Sequence, residues 1–254
     1  MIRLSQAHLQ TFAQCPPSFQ QKYLAKLASP NDPQQLAKQR WGVQFHQIMQ
    51  QLQLGFTLET LVTEDELKVS VEALLAQIPD FLQTPNDHFS EAEHRRSLQV
   101  GDFALTVIYD WLVQRGDRLT ICDWKTYPKP EKANDLSNHW QTKLYLYVLA
   151  ETTDYAPEQL SMTYWFVKLP NQPESITINY SAEAHQQIKR ELTKLLQQLQ
   201  AEMDDYFRAN IPLQHPDQKS CWRCPPQLHD RRSPQTFSDQ TIEAFLADID
   251  PIPL

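Results

Sequence analysis

Two Gly-Asp pairs punctuate an apolar, β-branched stretch in the middle of the chain, and together they limit the folds open to it. Gly116-Asp117 separates Leu105–Arg115 from Arg118–Lys125, and Gly101-Asp102 separates Ser97–Val100 from Phe103–Thr106. A two-residue loop of this kind between strand-like runs predicts a β-hairpin. Two in succession predict a three-strand antiparallel meander over about residues 90–125. If the second hairpin centres on Gly116-Asp117, residues whose numbers sum to 233 oppose each other, and Asp110 faces Asp123.

Directly opposed side chains have Cβ atoms about 4.5–5.5 Å apart, and like charges so placed destabilise a sheet. Something must offset the repulsion, and a divalent cation is the obvious candidate. Lys125, two residues beyond Asp123, points to the same face. The first hairpin, in ideal register, adds Glu93 opposite Asp110, although a single bulge would displace it. The alternative is a solvated row of charges, but Ile108, Ile121 and Trp124 show that these are not polar surface ribbons.

Composition narrows the functional classes. The chain has 254 residues, 41% of them hydrophobic and 10% aromatic, enough to bury a sizeable core. No run approaches the roughly 20 apolar residues of a membrane span, and Met1–Gln6 has no apolar leader region. A cytoplasmic location without membrane attachment is therefore expected. The formal net charge of −8 opposes a broad basic surface for nucleic acid, though Arg95, Arg96, Lys125, Lys129, Lys132 and Lys143 lie near the acidic row in sequence. With only four glycines there is no glycine-rich phosphate loop, which argues against a P-loop NTPase or dinucleotide-binding fold.

Around the meander the pattern is largely helical. Residues 4–27 read as a helix capped by Ser5 and interrupted at Cys15-Pro16-Pro17. Residues 35–54 carry Trp41, Phe45, Ile48 and Leu52 on one side, with His46 adjoining. A helix over 64–84 ends near Pro85. After the Tyr127–Pro130 loop, a helix over 136–152 is followed by strands at 161–168 and 175–180. A long helix over 182–208 repeats Ile188, Leu192, Leu195, Leu199 and Met203. A proline-rich tail follows from 211, with a short amphipathic segment at 239–248. The expected architecture is α/β: a central mixed sheet containing the meander, flanked by helices, in one domain. That domain has a helical part (1–85), a core (86–210) and a tail (211–254).

This order of elements, with Asp110 on one meander strand and Asp123-Trp124-Lys125-Thr126 on the next, resembles the PD-(D/E)XK nuclease superfamily. Its RecB-type exonuclease branch, with the AddB nuclease domains and the CRISPR-associated adaptation exonucleases, is the most similar. The segment from Leu4 through Phe12, Cys15 and Tyr23, the Gly42-x-x-x-His46 spacing and Gln141-x-x-x-Tyr145 are similar to that branch's other motifs, in the same order. One departure is Val107, where the family often has glycine. The resemblance implies a restriction-endonuclease-like core and a Mg²⁺- or Mn²⁺-dependent deoxyribonuclease. Its metal ligands would be His46, Asp110, Asp123 and the Trp124 carbonyl, with Glu93 added by the hairpin register. Lys125 would orient or deprotonate the attacking water, and Gln141 and Tyr145, one helical turn apart, would position the lysine or a DNA phosphate. The chemistry agrees, since hard oxygen-ligated cations neutralise phosphate charge and generate hydroxide, and an imidazole biases the site toward Mn²⁺. Single-stranded DNA or duplex ends are the expected substrates, with a helicase or repair complex as partner. The alternative is a catalytically silent DNA-binding or assembly module that keeps the fold.

Cys221-Trp-Arg-Cys224 and the distant Cys15 leave three arrangements open. Iron–sulfur members of the branch join one N-terminal cysteine to three C-terminal ones, but here the last is missing and His229 stands nearby. Cys15, Cys221, Cys224 and His229 therefore suit a [4Fe-4S] cluster, a Zn²⁺ site, or thiols that only pack. Cys122, beside Asp123, is expected to be a packed thiol.

Overall fold

A computed structural model describes residues 1–27, 33–62, 64–82, 89–127, 132–168 and 172–215, the backbone alone over 33–38. Six strands form one mixed sheet: β1 (Ile2–Leu4), β2 (Ser90–Val100), β3 (Phe103–Arg115), β4 (Arg118–Lys125), β5 (Leu160–Phe166) and β6 (Glu174–Asn179). The order is β1-β3-β4-β5-β6, and β2 also pairs with β3. The expected meander is β2-β3-β4. Gly101 and Gly116 have φ of +57° and +62°, while neither Asp102 nor Asp117 is left-handed. Glycine in the first central position is what a type II′ hairpin turn requires, and its twist matches that of the strands.

The described residues gather into two compact units. One comprises Met1–Pro30, Ser97–Thr106 and the chain from Gln186; the other comprises Asn31–Arg96 and Val107–His185. In the first unit, β1 pairs in parallel with Phe103–Leu105, a strand too short to have signalled itself in the sequence. Helix α1 (Gln6–Gln14) starts at Ser5, whose backbone N–H and hydroxyl both meet His8 Nδ1, at 3.1 and 2.8 Å. This is a capping box in which histidine replaces the usual Glu or Gln. Pro16 ends α1 as expected, and α2 (Pro16–Phe19) continues into a wide turn over Gln20–Leu24. The Leu213 N–H bonds Gln20 Oε1 at 2.7 Å, so the start of the tail is tied down. Helix α8 (Ala182–Ala209) buries Ile188, Leu192, Leu196, Leu199 and Met203.

The second unit holds a core of its own. Helix α3 (Pro33–Gln53) buries Trp41, Phe45, Ile48 and Leu52, the stripe read from the sequence. A short α4 (Leu58–Leu61) was not foreseen. The helix expected over 64–84 is shorter: α5 (Asp65–Gln77) stops before Pro79, and Pro79–Leu82 tightens into a 3₁₀ turn. Proline has no N–H to continue the helical ladder. Phe81 then packs edge-on against Trp111 and Trp124, with centroids 5.1 and 6.0 Å away, pairs each worth about 0.5–1.5 kcal/mol beyond their burial. The helix expected over 136–152 is two pieces, α6 (Ala133–Asn138) and α7 (Trp140–Glu151), because His139 is extended between them. On the sheet, Trp111, Cys122 and Trp124 join the core of α3 and α5. Tyr164 instead meets α7, its hydroxyl 2.7 Å from Thr142 Oγ1. No described helix is long and apolar enough to cross a membrane.

Candidate active site

The register of β3 and β4 is the one the turn predicts, from Arg115↔Arg118 back to Trp111↔Cys122. The ladder ends there, one pair short of Asp110 and Asp123. Strict alternation would place Tyr109 and Trp111 on one face of β3. Instead Trp111 enters the α3/α5 core, while Tyr109 stacks edge-on with Tyr145 of α7 and donates to its carbonyl at 3.0 Å. Alternation is thus interrupted at Asp110. Its Oδ2 accepts the Trp124 N–H at 2.6 Å, where a ladder bond would otherwise form. The neighbouring strand is irregular too: Glu93 has φ of +53°, left-handed for a residue with a Cβ, a conformation that costs about 1–2 kcal/mol.

These irregularities gather the acids. Asp110 is buried, and its Oδ1 lies 3.3 Å from His46 Nδ1. Ligand atoms of His46, Glu93 and Asp110 all lie within 4.8 Å of one another, the one such group among the described residues. Asp123, also buried, is engaged differently. Lys125 Nζ stands 2.7 Å from its Oδ2, Gln141 Nε2 donates to its Oδ1 at 2.5 Å, and Lys125 donates to Gln141 Oε1 at 2.7 Å. Gln141 also hydrogen-bonds the buried Tyr145. The Lys125 ammonium lies 5.1 Å over the Tyr164 ring, and Tyr164 is the parallel-register partner of Asp123.

The charges perturb one another. Burial works against a charged His46, but the Asp110 carboxylate and its hydrogen bond, with Asp123 and Glu93 beyond, hold the imidazole at about 9. Burial and the Asp110 charge push Glu93 up to about 7. Burial raises Asp123 as well, and Lys125 opposes that rise. Three carboxyl groups crowded this closely suit a cation.

The donor set passes a direct test for such an ion. Asp123 Oδ2 is buried, with the Lys125 ammonium 2.7 Å away. A carboxylate oxygen has a second lone pair beyond that contact, which a metal ion could take. Trp124 adds a carbonyl. Lys125 turns its own C=O to β5, bonding Val167 N–H at 3.0 Å, and successive strand residues direct their peptide groups to opposite edges. The Trp124 C=O therefore shares the edge where its N–H meets Asp110. His46, Glu93 and Asp110 converge closely enough to hold one hard divalent cation, with Asp123 and this carbonyl as the neighbouring oxygen donors.

Two further contacts lie beside His46 and Glu93. A Cβ on Gly42 would lie 2.9 Å from Thr126 Oγ1, so the glycine lets α3 rest against the end of β4. His46 follows one turn later on the same face. Gln53, at the far end of α3, was not singled out from the sequence. Its Oε1 accepts the Ala92 N–H at 2.5 Å, and its Nε2 lies 3.2 Å from both Phe81 O and Ser90 Oγ. Its one sequence signal was the seven-residue step from His46, which returns to the same helix face.

Among the cysteines, Cys15 is buried at the start of α2 and accepts the Ser18 N–H at 3.3 Å. Cys221, Cys224 and His229 lie outside the described residues. Cys122 is buried, and burial pushes its thiol up to about 12, as suits a packed, unreactive group.

With this geometry in place, the sequence matches the family model of the PD-(D/E)XK nuclease superfamily over residues 3–227, and the chain belongs to that superfamily. Among solved structures, a protein of Eubacterium rectale described as a "putative exonuclease" is 15% identical, with a TM-score of 0.46, covering 95% of this chain and 93% of that one. A second, described as SSO0001, is 11% identical with a TM-score of 0.35, covering 77% of this chain and 75% of that one. No curated protein matches the sequence.

Proposed function

We propose that this chain is a divalent-cation-dependent deoxyribonuclease of the RecB-type exonuclease branch, acting on single strands or duplex ends. The carrying observation is the closed Asp123–Lys125–Gln141 triangle beside the His46/Glu93/Asp110 group. When bound, Mg²⁺ or Mn²⁺ would neutralise charge on the phosphate and lower the pKa of a coordinated water. The protein's own part is positional and electrostatic. Gln141 bonds both the ammonium and the Asp123 carboxylate, and so limits where Lys125 can place its remaining protons. From there Lys125 orients the attacking water and stabilises charge that develops on the phosphate oxygens. His46, a softer donor than a carboxylate, favours Mn²⁺ over Mg²⁺.

Labelled single- and double-stranded DNA, with RNA as comparison, tests the reading in Mg²⁺ and in Mn²⁺. Asp123→Ala and Lys125→Ala should each lower the cleavage rate by about 10²–10⁴. Equal DNA loss in wild type and variants would mean a contaminating nuclease. DNA binding without cation-dependent cleavage by the wild type would identify a silent binding or assembly module instead. A role in repair, recombination or CRISPR-type processing, in the cytoplasm and with a helicase or repair-complex partner, belongs to the same proposal. For Cys15, Cys221, Cys224 and His229, the three sequence readings are separated by iron and zinc content and the absorbance spectrum of anaerobically purified protein.

A further inference from the structure

Gln53 lies outside every motif of the site, yet its amide reaches three residues in two neighbouring segments. Oε1 accepts the Ala92 N–H at 2.5 Å, while Nε2 faces Phe81 O and Ser90 Oγ, each at 3.2 Å. Ser90 Oγ is held from the other side by Trp111 Nε1 at 2.9 Å. The residue after Ala92 is Glu93, whose left-handed backbone turns its carboxylate toward His46 and Asp110. A strand left to itself relaxes such a residue to extended geometry, which would move that carboxylate. The N–H that Gln53 holds belongs to Ala92, the residue just before the strained one.

We propose that Gln53 is a positioning residue: by bonding the Ala92 N–H it fixes the Glu93 turn that brings a third ligand to the cation. The same helix carries His46 seven residues earlier. One rigid element thereby places one ligand directly and another through an amide. The inference rests on the reading of Glu93 as a ligand, and so on the proposed function.

Mn²⁺ affinity of the full-length protein, from the electron paramagnetic resonance signal of free Mn²⁺, tests it without any activity readout. Gln53→Leu should weaken binding about tenfold, the usual scale for losing a group that orients a ligand. The same substitution in a Glu93→Ala background should have no further effect, since the positioned group is already gone. Equal weakening in both backgrounds, or none in the wild-type background, overturns the proposal. If Gln53→Leu does not fold, Gln53→Glu carries the test. It keeps an oxygen for the Ala92 N–H and should stay within about threefold of wild type, whereas a loss as large as that of Glu93→Ala overturns the role. A wild type that binds no Mn²⁺ overturns the nuclease reading with it, while normal wild-type binding and an indifferent Gln53 overturn this inference alone.

Discussion

At the scale of single residues, protons and the cation compete for the same atoms. His46 holds its proton up to about 9 and Glu93 up to about 7 before a cation arrives. Each proton displaced makes affinity rise about tenfold per pH unit. The logarithm of the Mn²⁺ association constant should therefore climb with a slope of about two between pH 6 and 7 and about one between pH 7 and 9. Calorimetry in buffers of different ionisation enthalpy counts the protons released; affinity flat across that window would remove His46 and Glu93 from the ligand set. Asp123 and Lys125 were legible as a pair because an i,i+2 spacing on a strand fixes their face. Glu93 was less so: no short-range pattern announces a left-handed residue in the middle of a strand.

At the scale of elements, the caps and close contacts make separate predictions. His8 is buried in the α1 cap, and burial, with the Lys22 charge, lowers it to about 4. The unfolded chain binds a proton near pH 6.5 and the folded one does not until about 4. The stability tied to the neutral ring is thus complete above pH 6.5 and is lost as pH falls toward 4, on the order of 2–3 kcal/mol. His8→Gln keeps the box and should flatten the fall of Tm between those pH values. Where α3 meets β4, Gly42→Val would push into the Thr126 side chain. It should cost about 1–3 kcal/mol and weaken Mn²⁺ binding, read by denaturant titration and by the metal assay. The hairpins and the α3 stripe were visible in the sequence because their signals are local. Strand β1 escaped notice because three residues carry no periodicity, and its parallel partner lies about a hundred positions away. The break at Pro79 was visible in principle, but the apolar spacing beyond it masked the missing N–H.

At the scale of the whole molecule, a cation that binds only the folded chain adds to its stability. At a hundred times its dissociation constant, Mn²⁺ should add about 2.7 kcal/mol and raise Tm by about 5–11 °C for a protein of this size. Asp110→Asn should abolish that rise while leaving the response to sucrose, a general stabiliser, intact. An unchanged rise would place the ion elsewhere. The family, the mixed sheet and the order of motifs were readable because helices, hairpins and charged pairs follow one another at workable gaps. The break in strand alternation at Asp110 was not, because it depends on Tyr109 choosing the Tyr145 side of the sheet, a tertiary choice.

The bare backbone at Gly42 has a mechanical corollary. With no side chain to cushion the join, the helix bearing His46 and the strand end bearing Lys125 are seated on one another like two parts of a vice. A displacement that withdraws the amine would carry the imidazole along, so damage at this joint should silence cation capture and water activation together rather than one at a time.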